Sequence, residues 1–540
     1  MKIAIIGAGA AGCFASIQIK RLCPTADVTV YESGRKPLAK VSVPGGGRCN
    51  LTNTFDNVRS LASVYPRGEK LMKRLLKEFG PADAWQWFEA EGVRLVAQLD
   101  GCVFPASQDA MEIVGTLLRL MERNGVRLET GHRVSLVTPG GASGCNRFGI
   151  SFAAAGLAPR QADIVLVASG GSPKAAGMAM LAPTGVETVA PVPSLFSLCL
   201  PGDSITGLTG TVVKHATASM TGTKLKASGP LLITHWGMSG PAILKLSAHA
   251  ARLLHSNGYK ADISINWLGE CNAQEAMETI AKLAADNPKK QLASAYPAQL
   301  NARLWMRIIG KSGLNPAMRW GEMGRKGMNK LAAALTADIY NADGKCRFKE
   351  EFVTCGGVAL GGINPSTLES RTCPGLFFAG EALDVDGVTG GFNLQAAWTT
   401  GHGRQVPLPN CATTAPRINP LTGHQDRGGY AMPIFTAFKS LQCCCRHLAA
   451  LYATAHASKP QARAAANQHG NTTKPQWPRT ACRGQSSCSL DGSFTRVTSS
   501  LSMRAPSMSM TSNLKDSHTK VSPQSGTWSN WNRHNPATVL

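Results

Sequence analysis

Apolar runs of strand length alternate with amphipathic stretches along the first part of the chain. Residues 2–6, KIAII, form an apolar run that ends at a glycine, which is typical of a buried parallel strand. A helical pattern follows over residues 10–22, and a second strand is predicted at residues 28–32. This alternation predicts an α/β fold with a parallel sheet. Further elements of the same kind are helical patterns in residues 68–90 and 109–124 and an apolar strand in residues 163–168.

The pattern changes after Pro191. Short runs rich in Val, Thr, Leu and Ser, separated by glycines, predict a strand-rich insert, with one helix that begins after Ser239-Gly240-Pro241. A long helical region follows, and nucleotide-binding character returns near Glu351. The expected organisation is a first part of a nucleotide-binding domain (1–188), the insert (189–270), a helical subdomain (271–340) and a closing part (341–404).

Residues 405–540 differ in composition from the rest of the chain. They contain 14 Lys and Arg, three Asp and no Glu, and three adjacent cysteines begin at Cys443. One interpretation is a disordered basic tail. The other is a frameshifted or otherwise aberrant C-terminus, which the cysteine and tryptophan content favours.

Length, charge and cysteine content restrict the class of protein. A chain of 540 residues with 43% hydrophobic residues is expected to hold two or three domains. The formal charge of +23 divides into +11 for residues 405–540 and +12 for residues 1–404, so the folded part is moderately basic and suits anionic cofactors or substrates. No nucleic-acid partner is expected from this balance.

Neither a membrane nor a metal is expected. No run of about 18 apolar residues occurs. The 16 cysteines contain no CxxC pair or zinc spacing. We therefore expect a cytoplasmic protein with mostly reduced cysteines, and the oligomeric state stays open.

The first chemical motif is a glycine fingerprint between the first strand and the first helix. In the run Gly7-Ala8-Gly9-Ala10-Ala11-Gly12, the three glycines permit a tight turn, backbone approach to a pyrophosphate, and close helix–strand packing. Glu32 follows Gly12 by 20 residues, where an acidic side chain binds ribose hydroxyls and disfavours a 2′-phosphate. We predict that Gly7, Gly9, Ala10, Ala11, Gly12 and Glu32 bind the adenosine diphosphate part of FAD.

The second motif is a glycine run followed by polar residues. Three glycines from Gly45 allow backbone N–H groups to face a ligand. A flexible surface loop is the alternative, and Cys49 is either redox-active or a packing contact. The predicted cofactor ligands here are Gly46, Gly47, Arg48, Cys49, Asn50, Thr52 and Asn53.

The third motif combines two strand ends with a helix start. The strand 375–381 ends in Gly380 and Glu381, and Gly390-Gly391-Phe392-Asn393 opens a helix whose positive end suits the flavin ring. Asp386, like Asp384, either contacts the cofactor or caps a turn. The remaining predicted ligands are Ala168, Ser169 and Gly170 after the strand 163–168. The motifs together predict one non-covalent FAD site.

These motifs together resemble the aminoacetone oxidase/BaiN-like (YhiN-type) family of FAD-binding flavoproteins. Further matching segments are 104–107, 191–195, 229–241 (GPLLITHWGMSGP) and 353–358. The resemblance implies a Rossmann-type FAD-binding domain with an inserted strand-rich subdomain and a small helical subdomain. It also implies an oxidoreductase that transfers a hydride between flavin N5 and a small organic substrate, either an amine or an unsaturated carbonyl or steroid-like compound. NAD(P)H or O2 is the implied redox partner.

His235, beside Trp236 in segment 229–241, is the candidate catalytic residue. It is positioned to protonate substrate if the insert covers the flavin, and a structural histidine beside a helix start is the alternative. Two rival functions remain. A flavin-binding tRNA-modification protein would need a basic RNA-binding surface within residues 1–404, and a non-catalytic damaged flavoprotein would follow from an aberrant tail.

Overall fold

The computed structural model describes residues 1–42, 44–140, 148–172, 177–345 and 353–402. The prediction about residues 405–540 therefore lies outside the described residues. The helices are α1 (Ala10–Leu22), α2 (Pro44–Gly47), α3 (Glu69–Leu75), α4 (Pro81–Ala90), α5 (Ala110–Arg123), α6 (Pro241–His249), α7 (Ala251–Ser256), α8 (Ala273–Asp286), α9 (Ala302–Lys311), α10 (Gly324–Thr336) and α11 (Phe392–Thr400).

A five-stranded parallel sheet organises the first domain. Its strands, in spatial order, are β19 (Leu376–Phe378), β10 (Ile164–Val167), β1 (Lys2–Ile6), β2 (Asp27–Tyr31) and β6 (Arg127–Glu129). Alternate side chains of β1 enter different cores: Ile3 and Ile5 pack with Phe14 of α1, whereas Ala4 and Ile6 face the opposite side. Burial on both faces explains the continuous apolar run of this strand. The predicted Rossmann-type α/β fold is confirmed.

Two small antiparallel sheets complete this domain. The first joins segments on either side of α4 and carries the end of the second motif, whereas the second consists of three consecutive strands that follow α5. The first sheet contains β3 (Thr52–Asn53), β5 (Cys102–Pro105) and β4 (Leu95–Ala97); the second contains β7 (Val134–Pro139), β8 (Phe148–Phe152) and β9 (Arg160–Ala162).

The chain enters the insert through β11 (Thr188–Ser194) and returns through β18 (Val353–Val358), which pair antiparallel. Between them lies a six-stranded antiparallel sheet. Its spatial order is β12 (Leu198–Cys199), β15 (Gly237–Ser239), β14 (Lys226–Thr234), β13 (Val212–Met220), β16 (Lys260–Asn266) and β17 (Asp338–Asp343).

The strand-rich segment 189–270 and the helical segment 271–340 share one hydrophobic core. Trp267 follows β16, whereas Trp305 lies on α9 and Leu335 on α10, and all three belong to this core. Helices α8, α9 and α10 lie in sequence between β16 and β17, the edge strand of the sheet. The two predicted subdomains are therefore packed as one unit.

The helical pattern of residues 68–90 is divided into α3 and α4. Gly80 is extended, with φ −97° and ψ −169°, and it precedes Pro81. A proline lacks the N–H that a continuous helix requires, and it disfavours helical geometry in the residue before it. Among the described residues, no helix combines the length and the apolar character that crossing a bilayer requires.

Candidate cofactor site and active site

Four strand ends of the parallel sheet bring the predicted cofactor residues to one edge. Gly7 follows β1, Glu32 follows β2, Ala168 follows β10 and Gly380 follows β19. All four strands are parallel, so their carboxyl ends lie at the same side of the sheet. The Gly7 N–H donates to the Tyr31 carbonyl at 2.8 Å, and the Ala168 N–H donates to the Ile6 carbonyl at 2.9 Å.

The three fingerprint glycines differ in how much room a side chain at each position would have. A Cβ on Gly7 would lie 2.5 Å from the Ala168 carbonyl oxygen, and one on Gly12 would lie 2.0 Å from the Gly7 carbonyl oxygen. A Cβ on Gly9 would meet no protein atom within 4 Å. Gly7 and Gly12 are thus required by the packing of the chain itself. The open space at Gly9, where α1 begins, fits the approach of a pyrophosphate to the backbone.

Ala10 and Ala11 form the first turn of α1, next to this open space. Ala11 is buried, and a Cβ on Gly380 would lie 2.9 Å from the Ala11 Cβ. Gly380 has φ +64°. The end of β19 therefore approaches the first turn of α1 closely, and two of the predicted motifs are in contact.

The Glu32 carboxylate is held in place by backbone donors. Its Oε2 accepts from the Ala8 N–H at 2.9 Å, and its Oε1 accepts from the Gly34 N–H at 2.7 Å. The Ser33 hydroxyl also donates to Oε1, at 3.1 Å, so the second lone pair of Oε2 is the one that can accept from a ribose hydroxyl. This geometry fits the role predicted from its spacing.

The glycine run of the second motif forms a helical turn rather than an open loop. Helix α2 covers Pro44–Gly47, and Gly46 and Gly47 have φ values of +72° and +86°. The Arg48 guanidinium lies 4.5 Å from the centroid of the Phe104 ring. Cys49 is fully buried, and burial raises its pKa to about 12, which favours packing over redox chemistry.

The polar residues after Cys49 dock on the start of α11. The Thr52 hydroxyl donates to Gln395 Oε1 at 2.5 Å, and Asn53 Nδ2 donates to the Gly390 carbonyl at 3.0 Å. The Asn50 side-chain oxygen accepts from the Gly391 N–H at 3.2 Å in the amide orientation that satisfies both of its ends. Thr52 and Asn53 are buried. Their side chains therefore join this segment to α11, and a contact of these two residues with the cofactor stays a prediction.

Glu381 and Asp386 also have protein partners. Glu381 Oε1 accepts from the Thr354 N–H at 2.6 Å, and its Oε2 lies 3.2 Å from Lys40 Nζ. Asp386 is 1% exposed, and both of its carboxylate oxygens accept hydrogen bonds from Arg67. Asp386 was predicted as a cofactor ligand, and the structure gives it an internal ion pair instead. No sequence spacing indicated Arg67.

Helix α11 begins at the same site with its N–H groups unused by the helix. Gly390 and Gly391 have φ values of +126° and +87° and turn the chain into the helix. The N–H groups of Phe392 and Asn393 have no intrahelical acceptor at this position. The Asn393 side chain bonds both the N–H and the carbonyl of Gly387, which fixes the preceding loop. The positive end of α11 is available for an electron-rich ring edge.

Three predicted residues remain: Ser169 and Gly170 at this edge of the sheet and His235 in the insert. Ser169 is exposed and Gly170 has φ +73°, directly after β10. His235 is exposed in the turn between β14 and β15, with its ring 6.2 Å from that of Trp236. The Leu200 N–H donates to the Trp236 carbonyl at 2.9 Å, which attaches this turn to the insert sheet.

Fold and site together define a Rossmann-type FAD-binding flavoprotein of the oxidoreductase class. The model of the HI0933-like protein Rossmann domain family matches residues 1–404, and the chain belongs to this family. The resemblance drawn from the motifs is thereby confirmed.

Several characterised proteins are similar to this chain. A 3-dehydro-bile acid delta(4,6)-reductase of Clostridium scindens is 29% identical over 427 residues, 74% of this chain and 97% of the relative. A ribosomal RNA dihydrouridine synthase of Escherichia coli is 28% identical over 414 residues, 73% of this chain and 95% of the relative. A solved 3-ketosteroid-delta4-(5alpha)-dehydrogenase of Rhodococcus jostii aligns with a TM-score of 0.39 at 14% identity, covering 75% of this chain and 96% of that one.

Proposed function

We propose that the protein reduces a carbon–carbon double bond conjugated to a carbonyl group, with FAD as the hydride carrier and NAD(P)H as the electron donor. The observation that carries this proposal is the placement of the open space at Gly9 and the Glu32 carboxylate at the start of α1, with the C-terminal end of α11 packed against Ala11 and its N-terminus held by the second motif. Bound FAD supplies reversible hydride transfer at N5 of its ring. The chain supplies binding, orientation and electrostatic stabilisation.

The names of the two relatives share one reaction type. A 3-dehydro bile acid with double bonds at positions 4 and 6 is a conjugated ketone, and dihydrouridine is uridine with its C5–C6 bond reduced next to the C4 carbonyl. For uridine and for the C4–C5 double bond of the bile acid, a hydride adds to the carbon β to the carbonyl and a proton adds to the α carbon. For the C6–C7 double bond, the hydride adds to the δ carbon at the end of the conjugated system and a proton adds to the γ carbon. The donor NAD(P)H becomes NAD(P)+, and one proton is taken from the protein or solvent.

Three features of the chain suit this reaction. The backbone at Gly9 and the Glu32 carboxylate hold the adenosine diphosphate end of FAD. The positive end of α11 stabilises negative charge at the far end of the cofactor, which favours its reduced form. A non-covalent FAD site is proposed because these contacts are hydrogen bonds and dipoles.

His235 is the proposed proton donor to the α carbon. The exposed ring leaves room for a substrate, and Trp236 offers an adjacent surface for stacking. Replacement by alanine should leave FAD bound and lower turnover by about 10²–10⁴-fold, with a changed pH profile. His215→Ala, at an exposed position on β13, is the matched control. An unaltered rate for His235→Ala would make His235 structural.

A uracil base in RNA is the second candidate substrate, and charge favours it. Residues 189–340 contain 16 Lys and Arg against eight Asp and Glu, so this part of the chain holds most of the positive excess of residues 1–404. An RNA substrate needs such an excess for its phosphates. A steroid-like acid carries few negative charges, so it would need a much smaller positive excess than RNA.

Anaerobic spectroscopy tests the proposal. NADH or NADPH should bleach the flavin absorbance, and a conjugated enone should restore it with a gain of two hydrogens per double bond in the product. A matched saturated ketone should not restore it. If amines bleach the flavin and enones never reoxidise it, the protein is an amine oxidase and the proposal is wrong.

A further inference from the structure

A strongly one-sided charge distribution lies between α8 and the middle of α10. Residues 287–330 contain nine Lys and Arg and a single acidic residue, Glu322. Basic and acidic residues are far closer in number over residues 1–404 as a whole, which contain 42 Lys and Arg and 30 Asp and Glu. A local excess of this kind raises the electrostatic potential over the surface that carries it.

Three of the nine cations are occupied by the protein. All three lie on α9: Arg303 donates to the Gly207 carbonyl at 2.7 Å, and Arg307 donates to Asp203 at 2.8 Å. Lys311 pairs with the buried Asp338. These side chains fasten α9 to neighbouring segments, so they do not contribute to a free basic surface.

The other six cations are exposed, and none of them forms an ion pair among the residues that the structure describes. We call them the basic face. It consists of Lys289, Lys290, Arg319, Arg325, Lys326 and Lys330.

Backbone hydrogen bonds bring the members of the basic face together. Residues 288–292 and 318–321 run antiparallel, since the Trp320 N–H donates to the Lys290 carbonyl at 3.0 Å and Gln291 pairs with Arg319. The Lys289–Lys290 pair and Arg319 are therefore neighbours across this ladder, although they are about 30 positions apart in sequence. Helix α10 starts at Gly324, so Arg325 and Lys326 follow within a few residues.

A rigid support underlies the basic face. Trp320 is fully buried and its ring stacks on Trp305 at a centroid distance of 6.2 Å. Leu292 is also fully buried, and its carbonyl accepts from Trp305 Nε1 at 2.7 Å. The backbone beneath the lysines is thus fixed by the core of the insert. Cations held on a fixed backbone lose less conformational freedom when they bind an anionic polymer.

We propose that the basic face binds the phosphate backbone of folded RNA, which rests on the second candidate substrate of the proposed function. Exposed cations on a ladder held by the core, and on the start of α10 that follows it, suit the phosphates of an RNA backbone. An anionic membrane is a poorer partner, because Leu292 and Trp320 of the ladder are buried and unable to insert into lipid. The face positions RNA, and it carries no base-reading or catalytic role.

Two charge-matched variants of the full chain test the proposal. The first variant changes Lys289, Lys290, Arg319, Arg325 and Lys326 to Gln. The control changes five cations of the residues after 404 to Gln and so removes the same net charge: Arg417, Arg427, Lys439, Arg446 and Lys459. Equal FAD content and equal thermal midpoints establish that both variants are folded. The probe is protein-free large-subunit ribosomal RNA, titrated between about 50 and 200 mM salt.

The first variant should bind the RNA at least about tenfold more weakly than the unmodified chain at the upper salt concentration. The slope of log affinity against log salt should fall by about 3.5–4.5, since each of the five lost phosphate contacts contributes roughly 0.7–0.9. The control should change affinity by less than about threefold. An equal loss in both variants, or no RNA binding by the unmodified chain at low salt, would overturn the proposal. The proposal would also be overturned if the first variant lost more affinity for vesicles of equal phosphatidylglycerol and phosphatidylcholine than for RNA.

Reduction of 2-cyclohexen-1-one, a small enone that needs no RNA contact, separates the two hypotheses. The first variant should reduce it at the rate of the unmodified chain. Face-dependent RNA binding without any enone reduction would refute the proposed reaction and leave the surface standing. If the protein reduces the enone but the first variant binds RNA as well as the unmodified chain, the proposed reaction stands and the proposed RNA-binding surface is refuted.

Discussion

Arg67 and Asp386 lie 319 residues apart in sequence and form a buried bidentate ion pair. The Ser194 hydroxyl donates to Asp386 Oδ2 at 2.9 Å, and Arg67 Nη1 donates to the Ala248 carbonyl at 2.6 Å. The pair thereby connects the loop before α11 with β11 and with the last turn of α6. Burial raises the pKa of the Asp386 carboxyl, and the Arg67 guanidinium opposes that shift.

Breaking this pair should destabilise the protein strongly. Arg67→Met leaves a buried carboxylate without its cation, so the free energy of unfolding should fall by about 3–5 kcal/mol. FAD affinity should fall as well, because the loop before α11 loses its attachment. Urea titration and FAD titration measure the two effects.

Arg127→Met is the matched control for this prediction. Arg127 and Asp27 form an exposed pair, with side chains 60% and 43% exposed. Loss of such a pair should cost no more than about 1 kcal/mol. Equal destabilisation by the two variants would contradict the assignment of Arg67 as a buried connector.

Gly9→Ala and Gly12→Ala should fail in different ways. The alanine at Gly9 meets no protein atom, so the thermal midpoint of the FAD-free protein should stay unchanged while FAD affinity falls at least about tenfold. The alanine at Gly12 meets the Gly7 carbonyl, so the FAD-free protein itself should lose stability. Gly115→Ala, inside α5 and also meeting nothing, is the control: it should leave FAD affinity unchanged and raise the thermal midpoint slightly, because alanine favours the helix. If Gly9→Ala binds FAD as tightly as the unmodified chain, the pyrophosphate does not lie against Gly9.

Glu32→Gln should weaken FAD binding by about 1–3 kcal/mol, because the carboxylate loses its charge while the amide retains its size. The change should also reduce discrimination against a 2′-phosphorylated adenosine, since the repulsion disappears. Competition between FAD and 2′-phospho-ADP-ribose, followed by flavin fluorescence, measures both effects. An unchanged FAD dissociation constant would place the ribose elsewhere.

His249 should make the fold less stable in mild acid. Burial lowers the pKa of His249, the hydrogen bond to the Ser63 carbonyl opposes this, and the nearby Arg67 and Lys245 lower it further. The unfolded chain therefore binds more protons than the fold just below pH 6.5, and stability falls as pH drops from about 6.5 towards the folded pKa. His249→Gln should flatten that part of the stability curve.

The control for the acid prediction is His255→Gln, at an exposed position on α7. It should leave the pH dependence of the wild type in place. If His255→Gln flattens the stability curve and His249→Gln does not, the burial of His249 is not the cause of the loss of stability in mild acid.

A chain that ends at Arg404 should be at least as soluble as the full chain and bind FAD no more weakly. Residues 405–540 have no Glu, a basic excess and little apolar periodicity, and the matching family model ends at residue 404. Sedimentation and FAD titration of the two chains provide the comparison. Loss of FAD on shortening, or a protease-resistant fragment from within residues 405–540, would show that this region is a domain.

The sequence by itself determined the features that depend on neighbouring residues. Helix α1 spans the predicted residues because the glycines and the apolar spacing act within one turn. The positions of Gly7, Gly12 and Glu32 follow from a strand, a tight turn and a second strand whose lengths are readable in the chain. The family resemblance rests on these local motifs.

Only the tertiary structure decided which polar side chains face the cofactor and which bind one another. Thr52 and Gln395, or Arg67 and Asp386, are more than 300 positions apart, so no spacing rule relates them. Each pair forms because burial makes an unpaired polar group costly, and the fold supplies the nearest partner. Lys290 and Arg319 come together for a different reason, because backbone hydrogen bonds pair residues 288–292 with 318–321 and no sequence pattern indicates that pairing.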